Sequence, residues 1–207
     1  MSKKEKISVS ENKDMLSLFE QKEFLLNGTP VSILTGTEFT KKEGMTLTQQ
    51  VTEYYNSIGN KALSPDYGEI ILDKQSVEDD FAHGVGRKKA IAFAAVPAVI
   101  EKGIVILPLE QHKKDDKRLS AMIAAPIVIA TEEFVCVVVI RQYVSGNKKL
   151  YVHEVSLREK LLDDSSNPAQ IQATHQGVIS CPSNDCSKLI NQGDIAKVIQ
   201  KIISTKK

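Results

Sequence analysis

The chain has 207 residues, a length that suits one well-cored domain with additional segments better than two domains. Hydrophobic residues make up 42% and charged residues 26% of the sequence, a composition that excludes an intrinsically disordered chain. The 27 Lys and Arg nearly balance the 26 Asp and Glu. The net charge therefore does not attract the whole protein to nucleic acid or to a membrane, and any basic site must be a local cluster of cations.

The sequence predicts neither a membrane span nor a signal peptide. The longest apolar run near the core covers residues 134–140, whereas a span needs about 20 residues. Residues 1–14 are basic but lead into polar residues, so we expect a mobile leader there. Three cysteines, an odd number, do not indicate a disulfide framework and favour the reducing cytoplasm.

The N-terminal half predicts helices that alternate with short strands. The segment 15–26 is typical of a short helix or strand, and residues 31–39 predict a strand. Thr46 is the expected N-cap of a helix that runs to Ile58. A loop then leads into a strand over residues 69–72.

Two predicted helices flank a histidine–glycine turn at His83. Ser76 is the expected N-cap of the first helix, over residues 77–82. The second helix has a buried, apolar body that Pro97 should end or kink before a strand at 104–107. Its first turn holds three cations, which the helix macrodipole disfavours at this end. They either bind a ligand or form a basic turn that is exposed to solvent. These residues are Arg87, Lys88 and Lys89.

Residues 124–155 hold three β-branched runs separated by two polar breaks, which predicts a three-stranded antiparallel meander. The runs cover residues 127–130, 134–143 and 150–155. The middle run is apolar on both faces, which is typical of a central strand covered on both sides, with Cys136 in the core. We therefore predict the α+β class, with an antiparallel sheet packed by helices from the N-terminal half and by a C-terminal helix.

Polar side chains follow the apolar core at the facing ends of the last two predicted strands, where a site could be built. A five-residue loop would place Arg141 opposite His153 and Tyr143 opposite Tyr151, whereas a two- or four-residue loop would place Gln142 opposite Tyr151. His153 is then either an ordinary strand residue or part of a functional cluster.

The C-terminal part predicts a short helix over 156–162, a polar surface tail over 163–187 and an amphipathic closing helix over 195–203. The expected organisation is thus a leader, one domain over 15–162, and a tail with the closing helix over 163–207. Three residues of the tail lack a second close pair of ligands, so zinc is disfavoured and no cofactor is expected. They are His175, Cys181 and Cys186.

No phosphate-binding loop, dinucleotide fingerprint or nucleophile elbow is present in the sequence. A cluster of His83, Arg141 and His153 with Glu154 would suit metal-independent RNA cleavage. One group would take the 2′-hydroxyl proton, another would protonate the leaving oxygen, and the arginine would stabilise charge on the phosphate. The expected substrate-binding residues are Arg87, Lys88, Lys89, Gln142, Tyr143 and Tyr151.

Six segments also carry a resemblance to a known family. They are GTEF (36–39), EYYNSIGN (53–60), GEIILDKQSVEDDFAHGVGRKKAIAFAAVPAVIEKGIVI (68–106), AAPIVI (124–129), VVVIRQ (137–142) and LYVHEV (150–155). In this order, over about residues 31–160, they resemble domains of large polyvalent proteins of phages and prophages, which also occur as C-terminal extensions of phage head morphogenesis proteins. Those domains are assigned to the barnase, EndoU, colicin and RelE-like nuclease group.

The resemblance implies an α+β domain with a helical part on an antiparallel sheet, and a nuclease or toxin-like activity. In this resemblance, the family's histidine–glycine turn corresponds to His83 and its strand-end arginine corresponds to Arg141. The family's tyrosine-to-glutamate run corresponds to Tyr151, His153 and Glu154. We therefore predict an RNase-like, toxin-type domain that acts on RNA or tRNA in the host cytoplasm. Delivery with the virion is an alternative route by which it would reach that compartment. The expected partners are RNA and an immunity or host-defence protein.

The alternative function is a non-catalytic anti-defence or virion-associated module on the same fold. It would engage a protein partner through the charged loop 110–119 or through the tail. The near-neutral charge favours this alternative, because nucleic-acid binders usually display a basic face.

Overall fold

A computed structural model of the chain describes residues 15–40, 42–81, 86–111, 118–143, 148–160 and 192–205. The elements in chain order are α1 (Leu18–Asn27), β1 (Ser32–Leu34), α2 (Leu47–Ser57), β2 (Lys61–Ser64), β3 (Gly68–Ile71), α3 (Lys74–Phe81), α4 (Arg87–Ala92), a 3₁₀ turn (Phe93–Ala95), α5 (Val96–Lys102), β4 (Ile104–Glu110), β5 (Arg118–Ile129), β6 (Glu132–Tyr143), β7 (Leu150–Glu159) and α6 (Gln192–Ile203).

Seven strands of the described residues form one sheet in the order β1-β5-β6-β7-β3-β2, and β4 pairs with β5 as well. The meander of β5, β6 and β7 lies at its centre and is antiparallel, as the sequence predicts. The expectation of a purely antiparallel sheet is wrong, because β1 runs parallel to β5 and β3 runs parallel to β7. Helices lie between the members of each parallel pair, which gives the chain the length that a parallel crossover needs.

The sheet is covered on both faces, and this explains why β6 is apolar on both sides. Cys136, Val138 and Ile140 pack in the larger core with helices α2 to α5. Val135, Val137 and Val139 alternate with them and pack in a smaller core with α1 and α6. The closing helix therefore lies on the sheet, and Cys136 is fully buried as predicted.

Side-chain caps fix where the helices begin. The segment after Ser17 is a helix and not a strand, because Ser17 and Glu20 form a capping box at the start of α1. Thr46 and Gln49 form another at the start of α2, which confirms the predicted cap. The prediction that Ser76 begins α3 is wrong. Asp73 Oδ1 accepts hydrogen bonds from the backbone nitrogen and the hydroxyl of Ser76 at 2.8 and 2.7 Å, so the helix begins before Ser76.

Four more predicted boundaries change for local physical reasons. The strand over 31–39 shortens to β1, because a turn follows it in which Phe39 takes a φ of 54°. The loop before β3 contains the strand β2, which pairs with β3 as a hairpin. Residues 156–159 continue β7 and do not form a helix, because they pair with β6. Pro97 lies in the first turn of α5, where proline is tolerated, so the break precedes it as the 3₁₀ turn.

None of the helices among the described residues is both long enough and apolar enough to cross a membrane. The predicted leader, the polar tail and most of the charged loop lie outside the described residues.

Candidate functional site

A β-bulge interrupts the pairing of β6 with β7 at the place where several predicted site residues lie. Val139 pairs with Glu154, but the next residue, Ile140, pairs with Val152. His153 is therefore the extra residue of the bulge. Bulges bend a strand locally and re-aim its side chains, so this one takes His153 out of the regular ladder, next to Glu154, which still pairs with Val139.

The bulge also decides the hairpin register that the sequence left open. Arg141 pairs with Tyr151, so neither expected register is present at this end of the hairpin. The expectation that Arg141 lies opposite His153 is wrong, because the regular ladder from Phe134 to Val139 already points Arg141 to Val152, and the extra residue moves its partner to Tyr151.

Glu154 is half-buried, and its environment makes proton exchange possible near neutral pH. Burial raises the pKa of its carboxyl to about 7, and the negative charge of Asp80 acts in the same direction. Three cations oppose this rise in pKa and keep the charged form accessible. They are Lys89, Arg141 and Arg158.

Asp80 joins the helical layer to the outer edge of β7. Its carboxylate is 6% exposed, and Oδ1 accepts a hydrogen bond from Lys89 Nζ at 2.5 Å. Oδ2 accepts a hydrogen bond from the backbone nitrogen of Val155 at 3.0 Å. Helix α3 thereby supplies a hydrogen-bond acceptor to the edge of β7, beyond the part of that strand that pairs with β3. It also places a negative charge beside Glu154.

Arg141 is 2% exposed, although it lies close to the end of β6. Its direct neighbours across the strands are Ser120 on β5 and Tyr151 on β7. Its charge acts on Glu154 and on Tyr151, where it lowers the pKa of each. The structure thus places Arg141 as an internal cation beneath the site.

Two tyrosines form an aromatic surface next to this arginine. The ring centroids of Tyr143 and Tyr151 are 5.9 Å apart with an interplanar angle of 24°. Tyr143 is 51% exposed, whereas Tyr151 is half-buried. Burial and the neighbouring Tyr143 raise the pKa of Tyr151 to about 12, so its hydroxyl stays protonated at neutral pH. The amide of Gln142 donates a hydrogen bond to the carbonyl of Lys148, which ties the strand end to the start of β7.

The three cations in the first turn of α4 all contact groups of the chain itself. Arg87 donates from Nη1 to the carbonyl of Phe39 and from Nη2 to that of Glu38, both at 2.7 Å. Lys88 Nζ lies 2.5 Å from a carboxylate oxygen of Glu132 and 5.3 Å from the ring centroid of Phe134. With Lys89 bound to Asp80, the macrodipole mismatch has intramolecular explanations at each position.

The structure brings Arg141, Tyr143, Tyr151, His153 and Glu154 to one end of the β6–β7 pair. His83 lies outside the described residues, and so do His175, Cys181 and Cys186. Among the described residues, no group of three or more His, Cys, Asp or Glu side chains could hold a metal ion.

Sequence reasoning missed Asp80, Arg118 and Arg158. Asp80 follows the buried Val77 by three residues, so it is a charged residue on the apolar stripe of α3, and that position was a usable signal. Arg118 pairs with Tyr143 but was assigned to the charged loop, and Arg158 was assigned to a helix.

Comparison of the chain with known protein families, with curated proteins and with solved structures finds no match. The fold places it in the α+β class with a mixed sheet covered on both faces.

Proposed function

We propose that the chain is an RNase-like, toxin-type domain of phage or prophage origin that cleaves RNA or tRNA by general acid–base catalysis. The resemblance of its sequence to the nuclease-like domains of polyvalent phage proteins supports this proposal. The observation that carries it is the half-buried carboxyl of Glu154, whose pKa of about 7 suits a group that takes up and releases a proton at neutral pH.

The proposed reaction is an internal transesterification that needs no metal. Glu154 takes the proton of a ribose 2′-hydroxyl, and the 2′-oxygen attacks the adjacent phosphorus. The bond from phosphorus to the 5′-oxygen breaks, and His153 donates its proton to that oxygen. The products are a 2′,3′-cyclic phosphate and a 5′-hydroxyl, so atoms and charges balance.

The remaining residues have supporting roles in this proposal. Arg141 is buried, so it positions Glu154 and stabilises its carboxylate from below. The exposed Tyr143, stacked on Tyr151, offers a ring face to a base of the RNA. Lys148 and Lys149 are exposed at the start of β7 and supply positive charge for phosphates. His83 stays a predicted acid–base group, and the cations of α4 have structural contacts.

The test is cleavage of total RNA by the purified protein in the presence of a chelator. We expect fragments with cyclic phosphate ends from the wild type and a loss of at least ~100-fold in rate for Glu154→Gln, since an acid–base group contributes about 10²–10⁴-fold. Glu159→Gln is the matched control, because Glu159 is exposed near the end of the same strand. Intact RNA with folded wild-type protein, or equal cleavage by both variants, would overturn the proposal.

A second candidate function is a non-catalytic module that binds an immunity or host-defence protein. The observation that favours it is that Arg87, Lys88 and Lys89 all bind other groups of the chain. They are therefore not available as the basic RNA-binding surface that the sequence predicts. Expression in cells separates the two functions, because an active RNase fragments cellular RNA and arrests growth, whereas a binding module leaves RNA intact.

A further inference from the structure

The face of the sheet that holds the smaller core is exposed where it extends beyond helices α1 and α6. These helices pack on apolar residues of β4, β5 and β6. The strands β7, β3 and β2 continue the same sheet beyond β6. On this part of the face, Lys61, Leu63 and Glu69 are exposed, and Ile71 and Tyr151 are half-buried.

The strand register places four side chains in one row on this face. Ile71 pairs with Tyr151, and the residues that precede them pack in the larger core, so these two side chains lie on the opposite side of the sheet. Lys61 pairs with Ile71, and Arg141 pairs with Tyr151, which extends the row in both directions. The row from β6 to β2 crosses three strand spacings, or about 14 Å.

Both ends of this row combine an exposed apolar surface with a cation. At one end, the ring of Tyr143 stacks on Tyr151 and is 51% exposed. Arg118 pairs with Tyr143 across the strands, which places an arginine beside the stacked rings. At the other end, Leu63 is 67% exposed and lies on the same face as Lys61, two residues before it on β2.

These side chains limit the class of ligand. Unpaired bases stack on exposed aromatic rings while cations bind the phosphates, whereas a duplex keeps its bases inside and cannot use the rings. Near the row, Lys61, Arg118 and Arg141 outnumber the carboxylates of Glu69 and Glu154 on the same face. The face therefore suits an anionic ligand with flat apolar groups better than an apolar peptide.

We infer that this face of β7, β3 and β2 binds single-stranded RNA next to the bond that is cleaved. The inference rests on the proposed function, because it takes RNA as the ligand. The bases stack on the two tyrosines and pack on Leu63, and Lys61 and Arg118 bind phosphates. Glu154 pairs with Val139 of the smaller core, so it lies on the same face, and the RNA reaches it without crossing the sheet. Sheet faces of this kind carry about two or three stacked bases.

The test is the affinity of Glu154→Gln, a variant that should not cleave its ligand, for a single-stranded RNA of about ten nucleotides and for the duplex of the same sequence. Fluorescence anisotropy at fixed salt measures both affinities. We expect the single strand to bind at least ~10-fold more tightly, because only its bases can stack on the rings. Absence of saturable binding of the single strand, or equal affinity for the duplex, would overturn the inference.

A pair of exposed apolar residues locates the surface. Leu63→Asp should weaken binding of the single strand at least ~10-fold, because it removes an apolar contact and puts a negative charge beside the phosphates. Ile33→Asp is the control, because Ile33 is 75% exposed on β1, at the opposite end of the strand order. Unchanged affinity in Leu63→Asp, or an equal loss in the control, would contradict the location.

A pair of lysines tests the phosphate contact. Lys61→Gln should reduce the slope of log affinity against log salt by about 1, the loss of one phosphate contact. Lys74→Gln is the control, because each lysine is more than half exposed and pairs with a glutamate at 2.9 Å, but Lys74 lies on α3. An unchanged slope in Lys61→Gln would contradict the contact.

Failure of this inference differs from failure of the proposed function. If the wild type leaves RNA intact while Leu63→Asp weakens binding of the single strand, the catalytic proposal is wrong and the binding face stands. If the wild type cleaves RNA and Leu63→Asp binds and cleaves it equally well, the catalytic proposal stands and the binding face is wrong.

Discussion

The edge of β7 and helix α2 each hold a buried polar side chain, and the two side chains differ in whether their oxygens have hydrogen-bond partners. At the edge of β7, both carboxylate oxygens of Asp80 accept hydrogen bonds, from Lys89 and from the backbone of Val155. On α2, the buried Oε1 of Gln50 accepts no hydrogen bond from the described residues. The first arrangement supports the fold and tunes the pKa of Glu154, whereas the second leaves a buried acceptor without a partner among the described residues, which costs stability.

The largest expected effect tests whether Asp80 is structural. Asp80→Ala leaves Lys89 without its carboxylate and the Val155 nitrogen without its acceptor, so we expect unfolding to become easier by about 3 kcal/mol. Urea denaturation measures this free energy. Glu78→Ala is the control, because the Glu78 side chain is 45% exposed and pairs with Lys74 on the same helix, so its removal costs about 0.5 kcal/mol or less. Equal losses of unfolding free energy in the two variants would show that Asp80 stabilises the fold no more than the exposed Glu78 does.

The next effect is a pH dependence that Glu154 imposes on stability. Its pKa of about 7 in the folded chain lies above its ordinary value of 4.5, so the folded state binds the proton more tightly than the unfolded state. This contribution is full below about pH 4.5 and is lost as pH rises through 7. Glu154→Gln removes this pH dependence. The free energy of unfolding of the variant should therefore rise relative to that of the wild type as the pH increases from 5 to 8. A constant difference in unfolding free energy across this range would contradict the assigned pKa.

A smaller effect compares the two buried glutamines. Gln50→Met removes an unmet acceptor and adds apolar contact, so we expect a gain of about 1 kcal/mol in the free energy of unfolding. Gln21→Met should gain less, because its amide nitrogen donates to the carbonyl of Leu16 at 2.9 Å and that bond is lost. Thermal denaturation of both variants measures the order. A loss of stability in Gln50→Met would show that the amide is satisfied in solution.

The smallest expected effect concerns the stacked tyrosines. Tyr143→Ala removes a half-exposed ring from a stacked pair, so we expect a loss of about 0.5 kcal/mol in stability. RNA affinity should fall further, by roughly 10-fold, if the ring stacks on a base. Filter binding at fixed salt measures the affinity. An RNA affinity equal to that of the wild type would remove Tyr143 from the site.

The central meander could be predicted because its signal is local. Residues 134–140 are apolar at every position, and only a strand covered on both faces suits that pattern here. The helix after Thr46 was predicted from its N-cap, whereas the segment after Ser17 was left as a helix or a strand, although its capping box also lies within four residues. The strands that contain β1 and β3 were predicted, but their parallel pairing with β5 and β7 was not, because these partners lie far along the chain.

The site was only partly predictable for the same reason. Polar ends on neighbouring strands pointed to Arg141, Tyr151 and Glu154, but the bulge at His153 depends on how two strands pair and leaves no mark in the sequence. The contacts of the α4 cations were hidden as well. Lys88 and Glu132, for example, are 44 residues apart.

The most direct measurement of the central claim is the titration of Glu154 by NMR of carboxyl carbons, with Glu154→Gln to identify its signal. We expect a midpoint near pH 7, and a lower midpoint in Asp80→Asn, because the neighbouring negative charge that helps raise the pKa is then removed. A midpoint at the ordinary value of 4.5 would contradict the account, since Glu154 would then lack the poised proton on which the proposed cleavage of RNA depends.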